Sequence, residues 1–174
     1  MDPSHTIWYG LIINIIELFR NRVFSPSFRK DFDQRLLHYE WPRGVPRLSF
    51  NIGHSKLKRW SMSIYKQIAL ILPALFWKLI DDMDFELILD IMQIVEFYAA
   101  PTYSLKRAKE VSDHAFVTVQ NIVKRFPFDE SSTANVKIPT MHMVLEYLAH
   151  DVPNFGHRAS DCLTEEHKHQ TVRV

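Results

Sequence analysis

The chain has 174 residues, 47% of them hydrophobic and 13% aromatic, which excludes a disordered chain and fits one domain with a core of its own. Its formal net charge of +1 excludes an overall basic field, so any contact with nucleic acid must come from a local patch. A single cysteine, Cys162, excludes an internal disulfide framework and points to a reducing, intracellular setting, nucleus or cytoplasm, while only four glycines and no GxGxxG or Walker string exclude a phosphate-binding loop.

In chain order, the first expected helix runs from about Ser4 to Val23 and ends at Ser25-Pro26-Ser27. Its apolar run, Ile7 to Phe19, carries Asn14 and Glu17 and is shorter than the roughly 20 residues of a spanning helix. It also lacks the basic leader of a secretory signal, so a buried helix is expected, with no membrane partner. Phe28, Phe32, Arg35, Leu36 and Tyr39 fall on one face of a second helix closed by Trp41-Pro42. "PRGVPRLSFNIGHS" reads as a loop with a short extended piece around Leu48 to Ile52. A third helix starts after Ser55, and Pro73 is expected to break or kink it. "ALFWKLIDD" continues beyond; "DFELILDIMQIVEFYAA" stops at Pro101; a further helix is capped by Ser104 and stopped by Pro127. Asp129 to Val136 is polar loop, Pro139 opens another helix that ends at Pro153-Asn154-Phe155-Gly156, and "TEEHKHQTV" forms a last short one. The fold class expected is all-α: a single irregular multi-helix domain over 1–174, divisible into 1–126 and 137–174, without a complete central sheet.

Several residues could carry chemistry. Asp2 and His5 are three apart; taken alone, such a pair is more commonly an N-cap acid beside a surface histidine. His142 and Glu146, at i and i+4, share a helix face, the spacing with which two side chains grip one metal ion. Together Asp2, His5, His142 and Glu146 have the layout of a closed structural zinc site, weakened by carboxylates where thiolates would be preferred. Lys56, Lys58 and Arg59 beside Trp60, and Lys106, Arg107 and Lys109, are two basic clusters that could touch DNA phosphates, with a solvated helix face as the plainer reading. No nucleophile motif can be placed around Cys162, and no small-molecule substrate is implied.

The order of the segments carries a resemblance. "DPSHTIWYGLI", then "RLSFNIGHSKLKRWSMSIYKQIALILP", then "IPTMHMVLEYLAHDVPNFG" and finally "TEEHKHQ" resemble the C-terminal half of CACTA (En/Spm) and Kyakuja–Dileera–Zisupton type transposases. In those families an Asp-x-x-His signature begins a helical region inserted into an RNase H-like domain. A Trp-containing helix ending in Ile-Leu-Pro follows, matched by Trp60 and Ile71-Leu72-Pro73. A Pro-x-x-His helix, here Pro139 and His142, leads through Phe155-Gly156 to the helix with the last catalytic acid. That acid is Glu166, from Glu166-x-x-His169, with Glu165 as the alternative. The sequence departs from the pattern at Glu146, commonly a second histidine, and at "HRASDCLTE", where an aromatic-rich stretch is expected.

Such transposases need three acids to hold two divalent metals. The first two lie upstream of the signature with which this sequence opens, so the resemblance implies a truncated, catalytically inactive transposase-derived fragment with a vestigial Glu166. DNA or a full-length transposase would be its partner and zinc its structural cofactor. The alternative is a helical protein-interaction domain without a nucleic-acid role. A metal-dependent hydrolase built on Asp2, His5, His142 and Glu165 or Glu166 is a third reading, which needs a pocket and an open coordination position.

Overall fold

A computed structural model describes residues 5–41, 43, 62–100 and 103–151. Among them the fold is all-α, with no strand. A π-helical segment, His5–Ile12, runs directly into α1 (Ile13–Arg22), followed by α2 (Pro26–His38), α3 (Met62–Phe76), α4 (Asp82–Ala99), α5 (Leu105–Arg125) and α6 (Ile138–Glu146), which continues as a π-turn, Tyr147–Asp151. No helix among the described residues is long and apolar enough to cross a membrane.

Local chemistry sets the helix ends. The Ser25 hydroxyl accepts the Phe28 N–H at 3.3 Å ahead of Pro26, so the segment expected to close the first helix also opens α2. Asp81 accepts the Asp84 N–H at 2.8 Å and Ser104 accepts the Arg107 N–H at 3.1 Å, each satisfying a donor that the helix start leaves free. Acids Asp82 and Asp84 occupy the first turn of α4, and bases Lys124 and Arg125 the last turn of α5, both favourable to the helix dipole.

Two expectations are corrected. Pro73 does not end α3, which runs through it to Phe76, and the Pro73 carbonyl still accepts the Trp77 N–H at 2.9 Å. Packing of Leu72, Leu75 and Phe76, all buried, outweighs the one hydrogen bond that proline removes. "ALFWKLIDD" is not one continuous helix: a turn follows Phe76, with Lys78 in the left-handed region at φ 57°, before α4 begins. The expected extended piece at Leu48 to Ile52, the Ser4 cap, the start of α3 after Ser55 and the helix at "TEEHKHQTV" lie outside the described residues.

The core is aromatic. Phe76 of α3 lies 5.1 Å from Phe19 of α1, 5.5 Å from Phe24 and 5.2 Å from Phe32 of α2, and Phe19 meets Phe126 at 5.3 Å. A second group joins Trp8 to Tyr98 at 5.4 Å and Tyr98 to Tyr147 at 6.3 Å, tying the first segment to α4 and to the π-turn after α6. α4 and α5 pack as an antiparallel pair: Asp84 near the start of α4 meets Arg125 at the end of α5, and Asp90 meets His114 midway.

The first segment approaches α6 closely at Gly10, where a Cβ would come within 2.5 Å of Thr140 Cγ2. Threonine is stiff at χ1 in a helix, so it yields poorly. Alanine would bring up to about 1 kcal/mol of helix propensity, against an overpacking cost of about 1–3 kcal/mol. Gly10→Ala is therefore expected to lower the melting temperature, and adding Thr140→Ser, which removes the opposing methyl, to restore it; equal effects in both backgrounds would refute the contact.

Candidate functional site

Of the four expected metal ligands, the described residues include His5, His142 and Glu146, which sit on neighbouring elements. The Gly10–Thr140 approach places the π-helical segment, which begins at His5, against α6, which carries His142 and Glu146. His5 is exposed, its ring 5.6 Å from that of Tyr9. His142 Nε2 lies 3.9 Å from Glu146 Oε2, with side chains 77% and 47% exposed, so the i, i+4 pair faces solvent. No group of three histidine, cysteine or carboxylate side chains able to hold a metal exists among the described residues. Asp2, Glu165 and Glu166 lie outside the described residues.

Of the two basic clusters, Lys56, Lys58 and Arg59 also lie outside the described residues. Lys106, Arg107 and Lys109 are exposed on the first turns of α5, and Glu110 partners two of them, at 3.9 Å from Lys106 and 3.5 Å from Arg107. Exposed pairs of this kind contribute little to stability, but the one Glu110 carboxylate offsets one of the cluster's three positive charges before a phosphate.

Beyond these turns the outer face of α5 carries three exposed apolar side chains among polar ones such as Gln120. Phe116 is 54% exposed, Val117 53% and Val123 38%. Phe116 and Val123, seven residues apart, lie on one side of the helix, while Val111, Ala115, Thr118 and Ile122 of the opposite side are buried.

The α4–α5 pair also frames a groove of about 460 Å³, lined by Asp81, Met83, Glu86, Leu87 and Asp90 from α4 and its cap, and by Asn121 and Lys124 from α5. The ion pair of Asp84 and Arg125 closes one side of it. Arg125 Nε and Nη2 donate to the two carboxylate oxygens at 2.5 and 2.8 Å, and this hydrogen bonding strengthens the guanidinium's hold on its proton against partial desolvation. Asp84 is 1% exposed and the Arg125 side chain 44%. Removing the carboxylate leaves a cation that water can reach, so Asp84→Ala is expected to cost about 2–3 kcal/mol, less than the 3–5 kcal/mol of a fully enclosed pair. Chemical denaturation of Asp84→Ala, Arg125→Ala and the double variant measures the coupling; additive losses would count against it.

The basic turn of α5 was accessible to sequence reading because lysines and arginines cluster along the chain. The groove was not, because its walls come from residues about forty positions apart with no recurring spacing. The one available signal was charge: no lysine or arginine occurs between Asp82 and Ala99, which holds five acids. No family model, no curated protein and no solved structure matches the chain.

Proposed function

We propose that this chain is a transposase-derived helical domain that acts by binding another protein chain, and that it does not cut DNA. The motif order, from the Asp-x-x-His signature through Ile71-Leu72-Pro73 to Pro139 and His142, supports the ancestry.

The observation that carries the protein-binding role is the outer face of α5, where Phe116, Val117 and Val123 stand exposed on the longest helix among the described residues. Apolar side chains grouped on a helix face mark contact with another protein more often than with phosphates. A photo-crosslinking benzoylphenylalanine in place of Phe116 is expected to yield protein adducts in cells, and the same residue at exposed Glu130 to yield none. Duplex binding that weakens with rising salt, and that the triple change Lys106→Glu, Arg107→Glu, Lys109→Glu abolishes, would overturn this reading in favour of DNA contact. Absence of adducts at position 116 would overturn it as well.

A further inference from the structure

We infer that the groove between α4 and α5 is a docking site for a basic amphipathic segment of a partner protein, one apolar side chain entering the groove and a lysine or arginine meeting its acidic rim. The inference rests on the protein-binding reading above and names a site and a partner chemistry for it.

Shape and charge both point to this occupant. The volume of about 460 Å³ falls within the roughly 300–1,000 Å³ of ligand clefts. Leu87 forms an apolar floor, and Met83, 85% exposed, stands at the edge as a flexible thioether able to adapt to an incoming side chain. Four carboxylates line the site, and Arg125 is committed to Asp84 through both of its oxygens. Among the described residues Asp81, Glu86 and Asp90 then face a single remaining lining cation, Lys124, while His114 stands behind Asp90 with its Nε2 3.8 Å from the carboxylate. This surplus of negative charge repels nucleic-acid phosphates and anionic lipid headgroups and attracts a cationic side chain. A peptide with lysines and leucines at helical spacing satisfies both halves of the site at once.

The test uses the whole chain and a fluorescent peptide of lysine and leucine at that spacing, with a glutamate-for-lysine counterpart. The cationic peptide is expected to bind and the acidic one not. Glu86→Lys and Met83→Ser, both at exposed positions and so expected to leave the melting temperature unchanged, should each weaken binding by about fivefold. Asp82→Lys makes the same charge change on the first turn of α4 away from the groove lining, and should weaken it by less than about twofold. Equal losses for Glu86→Lys and Asp82→Lys would show attraction to bulk charge and overturn the inference, as would no binding at all. Self-association that Glu86→Lys dissolves would assign the groove to a second copy of the chain and overturn it too. If the peptide test fails while position 116 still crosslinks to protein, the groove is wrong and the binding role stands; if both fail, both fall.

Discussion

Phe76→Ala is expected to cost about 3–5 kcal/mol, a large share of the 5–15 kcal/mol that holds a domain of this size folded. Its ring is fully buried and lies within 5.5 Å of the rings of Phe19, Phe24 and Phe32. Truncation therefore removes dispersion contacts with α1, α2 and the loop between them at once and leaves a void that stiff aromatic neighbours cannot close. Phe128→Ala is the matched control: its ring is 78% exposed, so the loss should stay below about 0.5 kcal/mol. Urea denaturation of both variants decides the matter, and comparable losses would mean that the aromatic cluster is not the centre of the core.

The second large effect is expected at Asn14, 1% exposed within the apolar first helix. Its Nδ2 donates to the Asn135 carbonyl and its Oδ1 accepts the Lys137 N–H, both at 3.0 Å, so one side chain straps the segment before α6 onto α1. Lys137 Nζ adds a bond to Glu17 at 3.4 Å, and Arg22 Nη1 holds the Pro127 carbonyl at 2.8 Å. Asn14→Leu leaves a backbone donor and a backbone acceptor unpaired and should cost about 2–4 kcal/mol. Asn14→Asp separates the two bonds. At neutral pH the carboxylate still accepts from Lys137 but faces the Asn135 carbonyl without a donor, and burial disfavours its charge. Its protonated form has both an O–H donor and an acceptor, like the amide. Burial raises the folded-state pKa of such an acid, so the folded form takes up a proton and the deficit of Asn14→Asp relative to wild type should shrink as pH falls. A deficit that stayed constant with pH would contradict the strap.

Asp129 titrates in the opposite sense within the same segment. The Ser131 hydroxyl and the Ser131 N–H, at 2.7 and 2.9 Å, hold its carboxyl below the usual aspartate range. Its contribution is present above that range and is lost as pH falls through the lowered value. A carbon-detected titration should place the Asp129 carboxyl below that of the same residue in an unstructured peptide; coincidence of the two would refute the turn.

Helices with a strong apolar stripe and a capping residue were legible in the sequence. Ser104 and Pro139 mark their helices where expected, and Phe32 and Leu36 fall on the buried face of α2. Those signals act over one turn of chain, where side-chain oxygens meet backbone donors and apolar residues recur with the helical period. The same reasoning misjudged Pro73, because a local rule about one missing hydrogen bond carries no information on the packing that surrounds it. It also could not foresee that the first segment would wind as a π-helix before Ile13, which becomes visible only with Gly10 pressed against Thr140.

For function, the sequence by itself determined composition, the positions of the basic clusters and the motif order behind the transposase resemblance. Only the packed helices show that Arg125 is bound up with Asp84 and that the remaining acids of α4 border an apolar groove. Those outcomes depend on side chains up to 41 residues apart meeting across the antiparallel α4–α5 pair. Charge partnership across helices is a property of register and packing, and no spacing along a single helix encodes it.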